Sequence, residues 1–457
     1  MSTNSEAMPE GSFSLLDTDL YKLTMQCAVL KYFPKVEVGY NFTNRTSHMH
    51  LNQASFQWLR KQIEMLETVA IKQEELKWLQ NTCPYFPQDY LSYLKAFRFR
   101  PKEQVIIDFK TLDGESDSDE NAKGNVSLQV KGLWLETILW EIPLLALVSE
   151  AYFKFTDTDW SHEGQVEKAR DKGLRLLEAG CAFSEFGSRR RRDYKTHGLI
   201  VQGLCEAQES ASRKGFEGKF AGTSNVHFAM RFGVAPVGTV AHEWFMGVAA
   251  IYNDYSIANE QALKHWIGTF GRGVLGIALT DTFGTHAFLD AFKKPAPESG
   301  TTDDYPTASA KVPTYAEIFT GTRQDSGDPL EFLKIIKHFY NGQKITEKKT
   351  VVYSDALDVD KCIKYKDATE EAGLTPSFGV GTFFTNDFRV ESTGEKSAPL
   401  NIVMKLAEAE GRPVVKLSDN AGKNTGDSNL VSQVKQQVGY RETLWVDGDE
   451  AHRWDKS

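Results

Sequence analysis

The chain has few cysteines, no surplus of basic charge and no long uncharged apolar run, and each shortage excludes a class of protein. Its five cysteines are an odd number and none forms a C-x-x-C pair, so neither a disulfide framework nor a zinc ribbon is indicated and a reducing compartment fits. A net charge of -9 argues against broad nucleic-acid binding, which needs Lys and Arg facing phosphates. The most apolar stretch, Leu133 to Phe153, contains Glu136, Glu141, Pro143 and Glu150; it reads as a buried helix or helix pair rather than a membrane span. The N-terminal Met1–Glu10 is polar and acidic, without the charged start and apolar stretch of a signal peptide. These features point to a cytoplasmic protein. Nuclear access stays open, because the run Arg189–Arg192 does not by itself make an import signal. What is left is 457 residues of 41% hydrophobic content, an ordinary soluble composition that can bury two cores.

Between Cys181 and Asp387 one pattern recurs: a short apolar run, glycines and polar residues at its end, then a helical stretch. The ends are Phe183–Arg189, Phe220–Asn225, Val237–His242, Ile277–Asp281, Ile318–Asp325, Val351–Asp355 and Phe378–Thr382. Such alternation reads as a parallel β/α array whose strand C-termini open on one face. Reactive side chains would collect at that mouth, which makes an enzyme the leading idea.

The flanking regions differ. Leu16–Met25 looks like a helix start capped by Asp17 or Thr18, with Leu16, Leu20, Leu23, Cys27 and Leu30 at helical spacing. Val36–Phe42 alternates as a strand, residues 51–98 are mostly helical, and Val105–Phe109 is a further strand. The acidic, turn-rich segment 113–125 reads as a solvated hairpin tip, and 294–312 is a loop rich in Pro, Ser, Thr and Asp. Asn401–Leu406 and Pro413–Leu417 form an antiparallel pair. The expected arrangement is α/β: an irregular or incomplete β/α barrel over 151–399, beside an α+β domain built discontinuously from 1–150 and 400–457.

Several strand ends suit phosphate or sugar oxygens. The glycines of Phe378–Phe384 permit close backbone approach, although a glycine-bearing strand-to-helix turn explains them equally. The four arginines after Gly187 and Ser188 could be a solvated face, but at a barrel mouth guanidinium forks match phosphate oxygens; one or two of the four should face inward. Arg323, Asp325 and Asp328 lie close together around Gly327, able to grip an anion and sugar hydroxyls or Mg2+, or simply to cap the helix starting at Pro329. Asp281 and Asp355 add carboxylates, and without a matching His/Cys set they favour oxygen-ligated Mg2+ over zinc. His242 could be structural, a general base, a metal ligand or a covalent phosphate acceptor. His286 is more in keeping with a structural role.

The motifs Asp17-Thr-Asp-Leu-Tyr-Lys-Leu-Thr-Met, Glu185-Phe-Gly-Ser-Arg-Arg, Gly222-Thr-Ser-Asn, Gly238-Thr-Val-Ala-His-Glu-Trp, Thr280-Asp-Thr-Phe-Gly-Thr, Arg323-Gln-Asp-Ser-Gly-Asp and Lys416-Leu-Ser-Asp occur in an order and spacing that resemble the nicotinate phosphoribosyltransferase family, and within it a fungal-type member. The resemblance spans roughly residues 13 to 450. It implies an incomplete or irregular β/α barrel beside an open α+β domain. It implies transfer of phosphoribose from phosphoribosyl pyrophosphate to nicotinate in NAD salvage, giving nicotinate mononucleotide and pyrophosphate, with ATP as co-substrate, Mg2+ as cofactor and His242 as the phosphohistidine.

Carried over to this sequence, Tyr21 stacks on the pyridine ring, Thr239, His242 and Arg323 lie near nicotinate, and Arg323 meets its carboxylate. Gly381 and Thr382 hold the ribose 5-phosphate, Arg189 lies near phosphates, and Asp325, with Asp281 less firmly placed, meets ribose hydroxyls or Mg2+. Ser224 stands where the nicotinamide-using cousin carries an aspartate, which favours the acid as substrate. A homodimer is allowed for, because in dimeric relatives the Tyr21 segment can complete the neighbouring subunit's site. Two other readings stay open from the residues alone: a Mg2+-dependent barrel aldolase or phosphatase, and a catalytically silent sensor of a pyridine or phosphoribosyl ligand. The partners implied are small molecules, with neither nucleic acid nor membrane among them.

Overall fold

The alternating run after Val36 becomes the first strand of a computed structural model that describes residues 11, 14–116, 118–297, 312–420 and 424–440. In chain order the strands are β1 (Glu37–Asn44), β2 (Leu51–Asn52), β3 (Val105–Thr111), β4 (Lys123–Leu133), β5 (Ala182–Glu185), β6 (Lys219–Thr223), β7 (Ile277–Leu279), β8 (Gly321–Gln324), β9 (Thr350–Tyr353), β10 (Thr375–Val380), β11 (Phe388–Arg389), β12 (Lys396–Ser397), β13 (Ile402–Ala409) and β14 (Arg412–Pro413). They make two main sheets and a small β11–β12 ribbon.

The first sheet is antiparallel and draws on both ends of the chain. Its path is β14-β13-β1-β4-β2, with β3 on the other edge of β4. The expected pair after Asn401 is thus present, but β13 runs on to Ala409, the turn falls at Glu410 and Gly411, and the partner strand stops at Pro413. The acidic segment 113–125 is the tip of the β3–β4 hairpin, as expected. It is not wholly solvated: the carbonyls of Glu120 and Ala122 accept from the first N–H groups of the helix Gln53–Met65, groups that a helix start leaves without internal partners.

The second sheet is parallel, in the order β6-β5-β10-β9-β8-β7. Six of the seven anticipated runs are therefore strands. The run ending at His242 is not. Pro236 has no N–H to give to a ladder, and Gly238 sits at φ +151° where a Cβ would lie 3.3 Å from the backbone N of Tyr21. The segment 235–241 instead spans the gap between β6 and β7 as an irregular stave: Thr223 N donates to the Ala235 carbonyl, Val237 N donates to the Thr223 carbonyl, and Thr239 Oγ1 donates to the Ile277 carbonyl. The β/α array is an incomplete barrel, closed at one place by loop rather than strand.

Leu133–Phe153 is the buried helical stretch expected, running as Trp134–Thr137, a 3-10 turn at Ile138–Trp140 and Glu141–Phe155. Its residues from Trp134 pack in the core with only Glu136 and the ends less covered. Among the described residues no helix is long and apolar enough to cross a membrane. The loop 294–312 falls largely outside the described residues.

The helix after Asp19 runs over Leu20–Tyr32, and its start differs from expectation, because neither Asp17 nor Thr18 caps it. Leu20 N donates instead to the Ser224 carbonyl, and Val226 N and His227 N donate back to the carbonyls of Thr18 and Leu16. The carboxylates are used elsewhere. Asp17 forms a two-pronged pair with Arg191 at 2.8 and 2.7 Å, and Asp19 Oδ1 accepts from Ser188 Oγ at 2.6 Å and Ser224 Oγ at 2.7 Å. The N-terminal segment is thereby stitched across the ends of β5 and β6. Of the four consecutive arginines, Arg191 is consumed by this pair. Arg192 is enclosed by Phe153 at 3.6 Å and Phe388 at 4.1 Å with its Nη2 donating to Ser397. With two of its members buried, the run is no exposed basic patch.

Burial alone would push the Asp17 carboxyl up, but the Arg191 guanidinium outweighs it and holds it at about 2. That lies below the roughly 3.9 of an unfolded aspartate, so the pair's contribution to stability is complete above that pH and is lost as the pH falls through the folded value. Asp17→Asn leaves Arg191 buried without a counter-charge and should cost about 3–5 kcal/mol. Urea unfolding at neutral pH reads this directly, and a midpoint equal to that of the unsubstituted protein would refute it.

Candidate active site

Three adjoining cavities open at the C-terminal ends of the parallel strands, and Arg189 borders all of them. The first, about 200 Å³, lies inside the incomplete barrel. Tyr21 and Phe186 supply its aromatic walls, Val237, Ile277, Val352 and Phe378 its apolar lining, and Ser224, Thr239, Arg189, Arg323 and Asp19 its polar groups. A flat ring with one charged substituent suits such a space. The second, about 70 Å³, is formed by Gly187, Gly379, Gly381, Thr382, Ser354 and Leu357 with Arg189, Arg190, Arg323 and Asp325. The third, about 190 Å³, lies between the barrel mouth and the antiparallel sheet. His242, Asp325 and Asp355 face it from the barrel, Glu141 and Glu243 also line it, and Arg45, Arg189, Arg190, Lys405 and Lys416 leave cations in the majority.

His242 is the first residue of the helix His242–Tyr252. Its Nδ1 lies 3.0 Å from Thr282 Oγ1 and its Nε2 3.1 Å from Asp325 Oδ2. Burial and the nearby Lys416 cation push its pKa below the usual histidine value, against Asp281 and Asp325, which pull it up. The helix N-terminus disfavours an imidazolium in the same way and favours an anion. Asp325 stays a carboxylate: burial would raise its pKa, but Arg323 and His242 hold it well below the ordinary range. Its Oδ1 accepts from Arg323 Nη2 at 3.0 Å and Ser354 Oγ at 2.6 Å.

The anticipated residues thus converge, with two differences in detail. Asp281 is not on a cavity wall; it is buried behind His242, with Oδ1 3.9 Å from Nε2 and Oδ2 accepting from Ser326 Oγ. In the glycine loop, Gly379 serves packing, since a Cβ there would fall 2.3 Å from the Phe186 ring, and the helix that follows is one turn, Thr382–Thr385. Gly381 and Thr382 do line the second cavity. Asp355 reaches the third cavity, while His286 lies on the outside of the barrel in a separate surface groove.

Ser224 is where expected, but its hydroxyl is committed to Asp19, so the barrel cavity does hold a carboxyl group. Burial raises the pKa of Asp19 against the hydroxyls of Ser188 and Ser224 and the charge of Arg189. Sequence reasoning missed Asp19, Phe186, Arg190 and Lys416, although each lies inside a quoted motif. Arg45 and Lys405 carried no local signal at all, because their position depends on the β1–β13 pairing.

Among the described residues no group of three or more His, Cys, Asp or Glu side chains is arranged to hold a metal. Asp325 is already engaged on both oxygens. The carboxylates of Asp325 and Asp355 at a cationic cavity fit a Mg2+ that arrives on a polyphosphate, bound by one or two carboxylates plus phosphate oxygens, better than a resident ion in a protein cage.

Comparison with known proteins gives a consistent result. Residues 181–442 match the model of the nicotinate phosphoribosyltransferase (NAPRTase) family, and residues 16–149 match that of its N-terminal domain. A probable nicotinate phosphoribosyltransferase of Schizosaccharomyces pombe is 46% identical over 93% of this chain and 97% of its own length. The nicotinate phosphoribosyltransferase of Saccharomyces cerevisiae is 44% identical over 96% of this chain and 98% of its own. A crystal structure of a putative nicotinate phosphoribosyltransferase from Saccharomyces cerevisiae superposes with a TM-score of 0.87 at 43% identity, covering 95% of this chain and 100% of that one. One from Porphyromonas gingivalis gives 0.79 at 31% identity, covering 94% and 100%.

The lowered pKa of His242 predicts a neutral imidazole throughout the neutral range. A proton titration followed by NMR should place its midpoint below the roughly 6.5 of free histidine, and Asp281→Asn, which removes a charge that raises it, should move the midpoint lower still. A midpoint above that of free histidine would contradict the assigned environment.

Proposed function

The chain belongs to the nicotinate phosphoribosyltransferase family, and on that premise we propose that it transfers phosphoribose to nicotinate in steps coupled to ATP through a phosphohistidine at His242. The observation that carries the reading is the placement of a neutral, helix-N-terminal histidine on a cationic cavity that shares Arg189 with a ring-sized cavity in the barrel.

In the transfer step the nicotinate ring nitrogen attacks the anomeric carbon of phosphoribosyl pyrophosphate, and the bond from that carbon to the pyrophosphate oxygen breaks. Tyr21 and Phe186 bracket the ring, Arg323 meets its carboxylate, and Thr239 borders it. The ribose 5-phosphate lies at Gly381 and Thr382, and Asp325 faces the ribose hydroxyls. Departing pyrophosphate gathers negative charge beside Arg45, Arg190, Lys405 and Lys416. Fixed cations at that point stabilise the leaving group and the oxocarbenium-like centre without reorganisation.

In the energising step an imidazole nitrogen of His242 attacks the γ-phosphorus of ATP, the bond to the bridging oxygen breaks, and ADP leaves. Asp325, held as a carboxylate at Nε2, can take the ring proton. A Mg2+ arriving on the polyphosphate would supply charge neutralisation there, and Asp325 and Asp355 are the residues that would hold it. Asp281 contributes its charge from behind the imidazole. Tyr21 lines the barrel cavity of its own chain. We place this work in the cytoplasm, where the five cysteines, none in a disulfide, stay reduced.

Labelled nicotinate with phosphoribosyl pyrophosphate and Mg2+ should yield the mononucleotide, faster with ATP than without; no product in either tube defeats the proposal. γ-Labelled ATP should leave an acid-labile, alkali-stable phosphate on the protein, absent from His242→Ala. Equal labelling of that variant would show that another residue is the acceptor. Arg323→Ala should raise the KM for nicotinate more than that for nicotinamide, by about tenfold or more if a charged pair is lost, and an unchanged ratio would remove its assigned role.

A further inference from the structure

Along one wall of the cationic cavity, which Glu141, Glu243 and Arg189 line, runs a set of paired charges that the transfer chemistry does not use. Lys22, with no exposed surface, sits between Glu141, at 2.6 Å, and Glu243. Glu243 also accepts from Tyr40 Oη at 2.5 Å and Trp134 Nε1 at 2.7 Å. Glu141 reaches the other way, to Arg189 Nη1 at 3.2 Å. Two cations and two anions are thus strung from the residue after His242 to the arginine that borders all three cavities. The same helix that carries Tyr21 and Lys22 is tied to the His242 segment a second time, through Thr24 Oγ1 donating to the Thr239 carbonyl at 2.6 Å.

The bonds in this chain are unequal. Glu243 has three donors and cannot easily move. Glu141 is held tightly by Lys22 and loosely by Arg189, whose side chain remains 45% exposed to the cavities. Arg189 therefore has two anionic claimants, Glu141 on one side and any phosphate in the cavities on the other. Lys22 decides how far that choice is open. With Lys22 in place, Glu141 can lose Arg189 without becoming an uncompensated buried charge, a state that is strongly unfavourable.

We propose that Lys22, Glu141 and Glu243 are positioning residues that dock Arg189 on Glu141 in the unphosphorylated protein and release it to the phosphoribosyl donor when His242 carries a phosphoryl group. The inference rests on the ATP-coupled reading above. A phosphohistidine adds about two negative charges to the cavity that Arg189 also lines, and it adjoins Glu243, which three donors keep from yielding. The new charge draws Arg189 off Glu141 and into the cavity, where its guanidinium fork is open to the donor's phosphates, and affinity for the donor rises.

The proposal makes two variants move in opposite directions. In Glu141→Gln, Arg189 has lost its resting partner, so the KM for phosphoribosyl pyrophosphate without ATP should already fall to near the ATP-supplied value. In the charge-neutral pair Lys22→Met with Glu243→Gln, Arg189 becomes the only counter-charge of Glu141, so the KM with ATP should rise to near the ATP-free value. In both, the ATP effect on KM should shrink by about fivefold or more, the scale of an ordinary coupling energy. Both should keep an ATP-free kcat within about twofold of wild type and normal labelling of His242.

An ATP effect of wild-type size in both variants overturns the proposal, as does a joint fall in kcat and melting temperature with the KM ratio unmoved, which marks a merely structural network. Should the double variant not fold, Glu141→Gln decides alone. A wild-type KM indifferent to ATP sinks the ATP-coupled reading itself and this inference with it; a wild-type response that survives in the variants sinks this inference only.

Discussion

The gap between β6 and β7 is the constraint from which most of the site follows. A parallel sheet of short strands that does not close leaves unpaired edges inside the protein, and buried backbone groups must find partners. The segment 235–241 supplies them on the β6 side through Thr223 and on the β7 side through Thr239. It does so as irregular chain: Pro236 bridges Thr223 but has no N–H with which to extend a ladder. Irregular chain also lets the helix Leu20–Tyr32 approach closely at Gly238. The N-terminal helix is thereby drawn over the open side of the barrel, and Tyr21 and His242 are brought to one place from opposite ends of the loop. A complete strand at this position would have kept the first helix at side-chain distance.

Crowding so many charges at that mouth is tolerable because each is answered. Asp17 answers Arg191, Asp325 answers Arg323, and Lys22 answers two glutamates. Pairs of this kind add little net stability, because desolvation offsets their attraction, but they penalise any other arrangement of the same chain. Their value here is geometric. The Asp17–Arg191 and Lys22–Glu243 pairs each join the N-terminal segment to the barrel, so the first helix cannot shift against it without exposing a lone buried charge. Arg45 and Lys405 reach the third cavity from the side of the antiparallel sheet, Lys405 donating to Thr425 Oγ1. In the proposed reading they face the substrate's phosphates.

How far the residues announced this differs by element. Apolar runs ending in glycine and polar residues were enough to place six parallel strands, because a buried strand has a strong local signal. They failed at Val237–His242 because the apolar run outweighed Pro236 and Gly238, the two residues that keep the segment from continuing as a ladder. Asp17 reads as a helix cap, since at a helix start that is what a free aspartate does; the long-range claim of Arg191 overrides it. Arg191 and Arg192 show the limit most plainly. Nothing local distinguishes them from Arg189 and Arg190, yet one pair is buried and the other faces the cavities.

Asp19 sharpens the question of which pyridine the barrel accepts. The serine at position 224 suggested a pocket without a carboxyl group, yet Asp19 stands beside it and takes its hydroxyl. The two observations reconcile through burial. A carboxyl group enclosed by protein resists ionisation, and Asp19 has no arginine bonded to it, only two hydroxyls on one oxygen. Arg323 and Arg189 border the same cavity and are permanently charged. An entering acid therefore meets two fixed cations and a reluctant anion, so its carboxylate is drawn toward the arginines and the ring is oriented with that group at Arg323. An amide offers no such handle. Discrimination on this account lies in the imbalance between the arginines and Asp19 rather than in Ser224 alone, and Ser224 matters because its hydroxyl fixes where Asp19 points.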